Sequence, residues 1–376
     1  MRGWEWLTNY RYTWSFALRV LVKAALLFIL INALATLVDV PAVLGRLSIY
    51  NTLVAGRERL PYGERADAYN LSMNNLDAMF ASHAISRPKS NDEFRVIVIG
   101  DSSVWGILLD NDQTLTGQLG KFLRERDPRV RVHNIGYPRM SVTQDLLLLD
   151  YAMRYQPDLV VWMATLESMS LPDQLEPMVV QVNGPPVRRL ITVYDLPLSV
   201  SDPRLADPDI FERTILGQRR PIADWLRLQL YGIMWQATGI DQVPNDYLPL
   251  TNDFGDDLAW KHFADARTFT EDDLAYDVIA AGQARAAEVP VLLVNEPIFI
   301  ADGVNSNLRY NFWYPRWAYD QYRALLAQVA EREGWRYLDL WDVIAPVEFT
   351  DSPVHLSPAG TRQLAERIAA EIEILQ

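Results

Sequence analysis

Short runs of apolar residues alternate with amphipathic stretches along most of the chain. Five runs rich in apolar residues predict strands that are buried on both faces, at residues 96–99, 130–133, 159–163, 291–294 and 337–340. Apolar residues at helical spacing predict helices between and after these strands, at residues 114–126, 145–155, 271–287, 317–333 and 358–374. Strands that alternate with helices predict an α/β fold in which helices cover both faces of a parallel sheet.

The longest apolar run lies near the N-terminus. No residue from Ala24 to Val38 is charged, and apolar residues around Arg19 and Lys23 extend the run to the ~20 residues that a membrane span needs. Aromatic residues that suit a membrane interface precede it, at Trp4, Trp6, Tyr10, Tyr12 and Trp14. The positive-inside rule then predicts a cytoplasmic segment at 1–14 and a transmembrane anchor at 15–40, with the rest of the chain outside. A cleaved signal peptide and a buried core helix are the alternatives.

Two stretches depart from the alternation of strands and helices. Residues 41–92 mix turn-forming and charged residues, with one helical piece near 71–82, and predict a juxtamembrane stem. Residues 170–270 are rich in Pro, Asp and aromatic residues and show weak periodicity. They predict an insertion over one end of the sheet, as a lid or part of a cleft. Residues 93–376 would then form one domain that carries this insertion.

Composition narrows the classes of function. The chain has 376 residues, with 48 acidic against 35 basic residues and a net charge of -13, so we expect no nucleic-acid partner. It has no cysteine, which excludes disulfides, thiolate chemistry and cysteine-ligated zinc. No glycine-rich nucleotide motif and no histidine spacing typical of a metal site occurs, so we expect neither a cofactor nor a metal. Only four histidines are present, at His83, His133, His262 and His355.

Polar residues follow the predicted strands. They occur in the segments Gly100-Asp101-Ser102-Ser103, Asn134-Ile135-Gly136, Ala164-Thr165-Leu166-Glu167-Ser168 and Asn295-Glu296-Pro297. Because ligands bind beyond the carboxyl ends of parallel strands, these segments are candidates for a functional site. A serine hydroxyl becomes a useful nucleophile only when a base removes its proton. His355 is the histidine that lies in a polar loop directly before a predicted helix and close to an aspartate, Asp351.

In this order, these segments resemble the signature blocks of the SGNH/GDSL hydrolases. Gly100-Asp101-Ser102, with Gly106 four residues past the serine, is similar to the first block. Asn134-Ile135-Gly136 is similar to the second block, and Asp351 with His355 is similar to the last. The resemblance covers about residues 94–170 and 290–376. It implies a three-layer α/β/α, flavodoxin-like fold with a catalytic domain at 93–376.

The resemblance also implies a role for each residue. Ser102 would be the nucleophile, His355 the base, and Asp351 the group that orients the imidazole. The backbone N–H groups of Ser102 and Gly136 would hold the oxyanion. Ser103 is the alternative nucleophile. Two further residues at strand ends are candidates for substrate binding, at Asp101 and Asn295.

The sequence departs from the family pattern in two places. The family aspartate usually stands three residues before the histidine, where Ser352 stands here, so Asp351 is one residue further away and Asp339 and Asp342 are alternatives. The third block usually carries an asparagine for the oxyanion hole, and the matching segment has none, so Thr165 is the candidate replacement donor.

The function that the resemblance implies is that of a serine esterase at the cell envelope. Its substrate would be an acylated glycan, lipid or small molecule. The N-terminal helix would hold the chain in the membrane. An O-acyltransferase of an envelope polysaccharide is one alternative. A non-catalytic protein that binds or scaffolds envelope polymers is the other, and the missing third-block asparagine is its main support.

Overall fold

The centre of the molecule is a parallel sheet of five strands. The computed structural model describes residues 13–53, 56–63, 71–205, 207–238 and 247–374. The strands are β1 Phe94–Ile99, β2 Val130–Asn134, β3 Leu159–Ala164, β4 Val291–Asn295 and β5 Arg336–Asp339. Their order across the sheet is β2-β1-β3-β4-β5, and every neighbouring pair is parallel. This is the flavodoxin-like order, so the predicted fold and all five predicted strands are confirmed.

Helices connect the strands and precede them. They are α1 Trp14–Ala35, α2 Val40–Gly45, α3 Ile49–Leu53, α4 Leu76–Ser82, α5 Ser102–Trp105, α6 Leu115–Arg126, α7 Val142–Ala152, α8 Met178–Val182, α9 Gly184–Tyr194, α10 Arg219–Thr238, α11 Tyr276–Ala286, α12 Arg316–Glu333 and α13 Pro358–Ile374. The predicted helices correspond to α6, α7, α11, α12 and α13, with boundaries that shift by a few residues. The first residues of the predicted helix at 271–287 form a separate 3₁₀ turn, Glu271–Asp273.

The sheet is covered on both faces because alternate residues of its strands are apolar on each side. Ile97 and Ile99 of β1 pack into a core with residues of α7, α11 and α12. Val96 and Val98 point the other way and pack with residues of α6 and α13. All four side chains are fully buried. The runs therefore read as continuously apolar because neither face of the central strands meets water.

Helix α1 is long and apolar enough to be a membrane span or a signal sequence. It has 22 residues, its most apolar window has a mean hydropathy of 2.1, and only 6% of that window is buried. That exposure argues against the alternative of a buried core helix. The aromatic residues at positions 4–12 that support the anchor lie outside the described residues.

The segments predicted as a stem and an insertion both pack against the domain. Leu60, Phe80 and Ile85 are fully buried in the core that covers one face of the sheet. The insertion is helical where it was expected to be irregular, since α8, α9 and α10 all lie within it. Arg189 of α9 donates to Asp150 of α7, which links the insertion to the helical layer.

Candidate active site

A sharp turn places Ser102 at the carboxyl end of β1. Gly100 has a φ of 153°, and a Cβ there would lie 2.7 Å from the Val104 side chain, so only glycine fits. The Asp101 carboxylate accepts a hydrogen bond from the Ser103 N–H at 2.7 Å and caps the short helix α5. Ser102 is therefore the first residue of α5, half-buried, with an N–H that has no acceptor inside the helix.

A closed loop before α13 presents His355. The Thr350 N–H donates to the His355 carbonyl at 2.9 Å, and the His355 N–H donates to the Ser352 carbonyl at 3.2 Å. These bonds fold the loop back on itself. Asp351 and His355 consequently face each other although four positions separate them, so the departure from the family spacing does not part the two side chains.

Ser102, His355 and Asp351 form a continuous hydrogen-bonded chain. His355 Nε2 lies 2.8 Å from Ser102 Oγ, and His355 Nδ1 lies 2.8 Å from Asp351 Oδ1. Burial alone would raise the pKa of Asp351, but the hydrogen bond and charge of His355 outweigh it and hold that pKa below its usual value. The carboxylate is thus ionised near neutral pH and can only accept, so Nδ1 carries the proton and Nε2 is free to accept from Ser102.

Gly136 lies close to the turn that carries Ser102, but its N–H already has an acceptor. A Cβ at Gly136 would lie 2.6 Å from the Trp105 nitrogen, so the loop after β2 touches α5 directly. The Gly136 N–H, however, donates to Asn134 Oδ1 at 3.0 Å in an Asx turn. Asn134 also donates to the Val104 carbonyl at 2.7 Å. This corrects the expectation of a free donor at Gly136, because the side chain of Asn134 already accepts the hydrogen bond of this N–H.

Three predicted site residues point into the protein instead of the site. The Thr165 hydroxyl is fully buried and hydrogen-bonded to the Tyr314 hydroxyl at 3.0 Å, so it cannot replace the third-block asparagine as a donor to substrate. Asn295 is also fully buried, and its amide donates to Asp339 Oδ1 at 2.8 Å. Asp101 is buried and serves as the helix cap. These contacts contradict a substrate-binding role for Asp101 and Asn295.

Below the turn that carries Ser102 lies a group of buried acids, and the sequence did not predict that they cluster. The Ser103 hydroxyl donates to Glu296 Oε2 at 2.5 Å. Burial raises the pKa of Glu296 well above its usual value, and the neighbouring charge of Asp101 raises it further. Burial likewise raises the pKa of Asp101, and that of Asp145 on α7. A glutamate directly after a buried strand was the only available signal.

The remaining candidates have other partners. Ser103 is bonded to Glu296 and so is not the residue on the imidazole. Asp339, an alternative to Asp351, accepts from Arg323 at 2.7 Å. His83 is fully buried, and burial together with the nearby His133 lowers its pKa to about 3. In the described part of the chain, no group of three His, Asp or Glu side chains is arranged to hold a metal ion.

No family model and no curated protein matches the sequence. Among solved structures, a carbohydrate acetylesterase from Sinorhizobium meliloti is similar at 13% identity and a TM-score of 0.35, over 76% of this chain and 100% of the other. An inhibitor-bound aryl esterase from M. smegmatis is similar at 13% identity and a TM-score of 0.33, over 75% of this chain and 99% of the other. Similarities this distant carry no argument about activity, which must come from the site itself.

Proposed function

We propose that this protein is a serine esterase with Ser102 as its nucleophile. The observation that carries the proposal is that one imidazole bonds Ser102 through Nε2 and Asp351 through Nδ1, each at 2.8 Å. These two contacts give the imidazole a defined tautomer and direct its lone pair at the serine hydroxyl, which is the arrangement that activates a serine.

The reaction follows from these contacts. Ser102 Oγ bonds to the ester carbonyl carbon while its proton moves to His355 Nε2, and Asp351 stabilises the resulting imidazolium. The tetrahedral intermediate breaks the bond to the alcohol oxygen, which leaves with the proton from His355. Water then attacks the acyl-enzyme, again through His355, and releases the acid and free Ser102.

The hydrogen-bond donors for the oxyanion are the least complete part of the site. The Ser102 N–H is one donor. For Gly136 to supply a second, its N–H must exchange Asn134 Oδ1 for the oxyanion. Each such donor is worth about 3–4 kcal/mol of transition-state stabilisation. The engaged N–H favours slow turnover, and it is the observation that keeps a non-catalytic binding protein as the second candidate.

A fluorophosphonate probe and p-nitrophenyl acetate test the proposal. The wild-type chain should become labelled and hydrolyse the ester, whereas Ser102→Ala and His355→Ala should lose both properties. Ser103→Ala is the matched control, because this neighbouring hydroxyl bonds Glu296 rather than the imidazole, and it should retain labelling. A folded wild-type chain that stays unlabelled would favour the binding protein.

We further propose that α1 is an uncleaved anchor, with residues 1–14 in the cytoplasm and the esterase domain outside. The 22 residues of α1 are long enough to cross the hydrocarbon core, and Arg19 and Lys23 lie in its N-terminal half. A domain held at the outer surface would meet acylated glycans or lipids of the envelope, which is the substrate class we propose.

The absence of cysteine allows a direct test of this topology. Single-cysteine variants Thr8→Cys and Val347→Cys are treated in spheroplasts with a maleimide that does not cross membranes. Val347 is 84% exposed, so position 347 should react at once, and position 8 should react only after the membrane is opened with detergent. The opposite pattern, or loss of the N-terminal cysteine from the mature chain, would overturn the anchor.

A further inference from the structure

The insertion presents an exposed apolar surface beside α1. It consists of Ile210 and Phe211 in a turn and of Leu226, Leu230, Ile233 and Met234 on α10, which we call the insertion patch. Ile210 is 80% exposed and Leu230 is 63% exposed. Leu37 and Leu53, on the segment that follows α1, are 79% and 78% exposed. Several large apolar side chains this exposed mark an interaction site in a soluble domain.

The orientation of α10 is fixed by its opposite face. Trp225 and Leu228 are buried, and the Trp225 indole N–H donates to the Leu47 carbonyl at 3.2 Å. The Ile49 N–H donates to the Gln229 side chain at 2.8 Å. One face of α10 therefore packs on the short segment that leads from α1 into the domain. The other face, at positions three and four residues apart, has no protein cover within the described residues.

A hydrogen bond ties the segment between the two parts of the patch to the last turn of α1. The Leu216 N–H donates to Asn32 Oδ1 at 3.1 Å. Asn32 is three residues before the end of α1 at Ala35, or about 5 Å along the axis at 1.5 Å per residue. If α1 spans the hydrocarbon core of about 30 Å, this depth is the boundary between acyl chains and headgroups.

Basic residues border the patch. Arg219 and Arg220 are exposed at the start of α10, and Arg227 follows two turns later, paired with Asp224 at 2.8 Å. Long cationic side chains beside an apolar stripe can reach headgroup phosphates while the stripe enters the acyl layer. Apolar stripe, basic border and depth together fit a lipid surface.

We propose that the insertion patch is a second membrane contact, which lies in the interface of the outer leaflet that α1 crosses. This inference rests on the proposed anchor. Its occupant is the lipid bilayer itself, because the bond between Leu216 and Asn32 joins the segment that links the two parts of the patch to the membrane-spanning helix. The contact would hold the esterase domain at one orientation over the membrane instead of leaving it free on a flexible tether.

The test uses single-cysteine variants of the full chain that carry an environment-sensitive fluorophore. Phe211→Cys and Leu230→Cys report on the patch, Leu27→Cys on the anchor, and Val347→Cys on an exposed loop before α13. The proteins are placed in nanodiscs of phosphatidylcholine and phosphatidylglycerol, with and without lipids that carry a doxyl quencher near the headgroup. Thermal unfolding of each variant confirms that it is folded.

We expect the quencher to lower the fluorescence at positions 211 and 230 at least twofold and to leave position 347 unchanged. Quenching at position 27 without quenching at 211 and 230 would overturn the second contact and leave the anchor intact. Absence of quenching at all positions would overturn the anchor and this inference together. A blue shift at position 230 without quenching would indicate a protein partner on the patch and also overturn the proposal.

Discussion

At the scale of single residues, the site depends on how one aspartate reaches one histidine. Asp351 is four positions before His355, and the bond from the His355 N–H to the Ser352 carbonyl tightens the loop between them. The imidazole is thereby held by a carboxylate on one nitrogen while the other nitrogen meets Ser102. The loop directly before α13 thus supplies both residues to which we assign the roles of base and orienting group.

Asp351→Asn should lower kcat/KM on p-nitrophenyl acetate by about 10³–10⁴-fold. The amide can donate to Nδ1 where the carboxylate only accepted, so Nε2 would carry the proton and could not take one from Ser102. Asp339→Asn is the control, since that aspartate bonds Arg323 and Asn295 instead of the imidazole. Loss of activity in Asp339→Asn but not in Asp351→Asn would show that Asp351 is not the aspartate that orients His355.

The sequence predicted which residues of the site would meet but not which way every polar side chain would turn. Ser102, His355 and Asp351 were expected to meet because the chemistry needs those three types, and the turn after β1 and the loop before α13 bring them together. Thr165 follows β3 and Asn295 ends β4, yet the side chains of both bond to other residues of the protein, Tyr314 and Asp339. Near a strand end, a shift of one residue reverses the direction of a side chain, and apolar patterning does not fix that direction.

At the scale of elements, apolar periodicity predicted the sheet and its covering helices well. It failed for α10 because that helix is apolar on two faces. Trp225 and Leu228 face the domain, whereas Leu226 and Leu230 are exposed, so the usual single stripe is blurred. The second apolar face obscures the helical periodicity in the sequence, and it is the surface that we assign to the membrane.

The predicted stem also proved to have contacts that no local pattern shows. The Arg59 guanidinium donates to the carbonyls of Gly106 and Leu109, both at 3.0 Å, and lies 4.6 Å from the ring centre of Trp105. The Trp105 indole N–H donates in turn to the Leu60 carbonyl at 2.8 Å. The segment between α1 and the sheet therefore supports α5, the helix that begins at Ser102. The periodicity of apolar residues does not reveal contacts between residues nearly fifty positions apart.

Gly136→Ala tests the contact between the loop after β2 and α5. The added methyl would lie 2.6 Å from the Trp105 nitrogen and 2.7 Å from Val104 Cβ, so one of the two elements must move. We expect a loss of about 1–3 kcal/mol in the free energy of unfolding, and slower labelling of Ser102 by the fluorophosphonate probe. Gly255→Ala is the matched control, because its nearest neighbour atom would be 4.0 Å away. Equal labelling rates in both variants would show that this contact does not position the nucleophile.

At the scale of the whole molecule, the buried acids make stability depend on pH. Glu296, Asp101 and Asp145 are buried, and their burial raises each pKa, so between the unfolded and folded pKa values the folded chain binds protons that the unfolded chain has released. Stability from such groups is fully present below the unfolded pKa values and declines as pH rises toward the folded values. This trend opposes that of Asp351, whose lowered pKa favours folding at higher pH.

Glu296→Gln separates the contribution of one buried acid from the rest. The amide keeps the size of the side chain and an oxygen that can accept from Ser103, but it holds no titrating proton. Between the unfolded and folded pKa values of Glu296, the wild type loses up to about 1.4 kcal/mol of unfolding free energy per pH unit through this group, and the variant does not. Urea unfolding from pH 5 to pH 8 should therefore show a shallower decline for Glu296→Gln, with the variant more stable at the upper end. Glu288→Gln, at an exposed position, should show the same change of unfolding free energy with pH as the wild type. The same slope in all three proteins would mean that Glu296 is already ionised in the folded state.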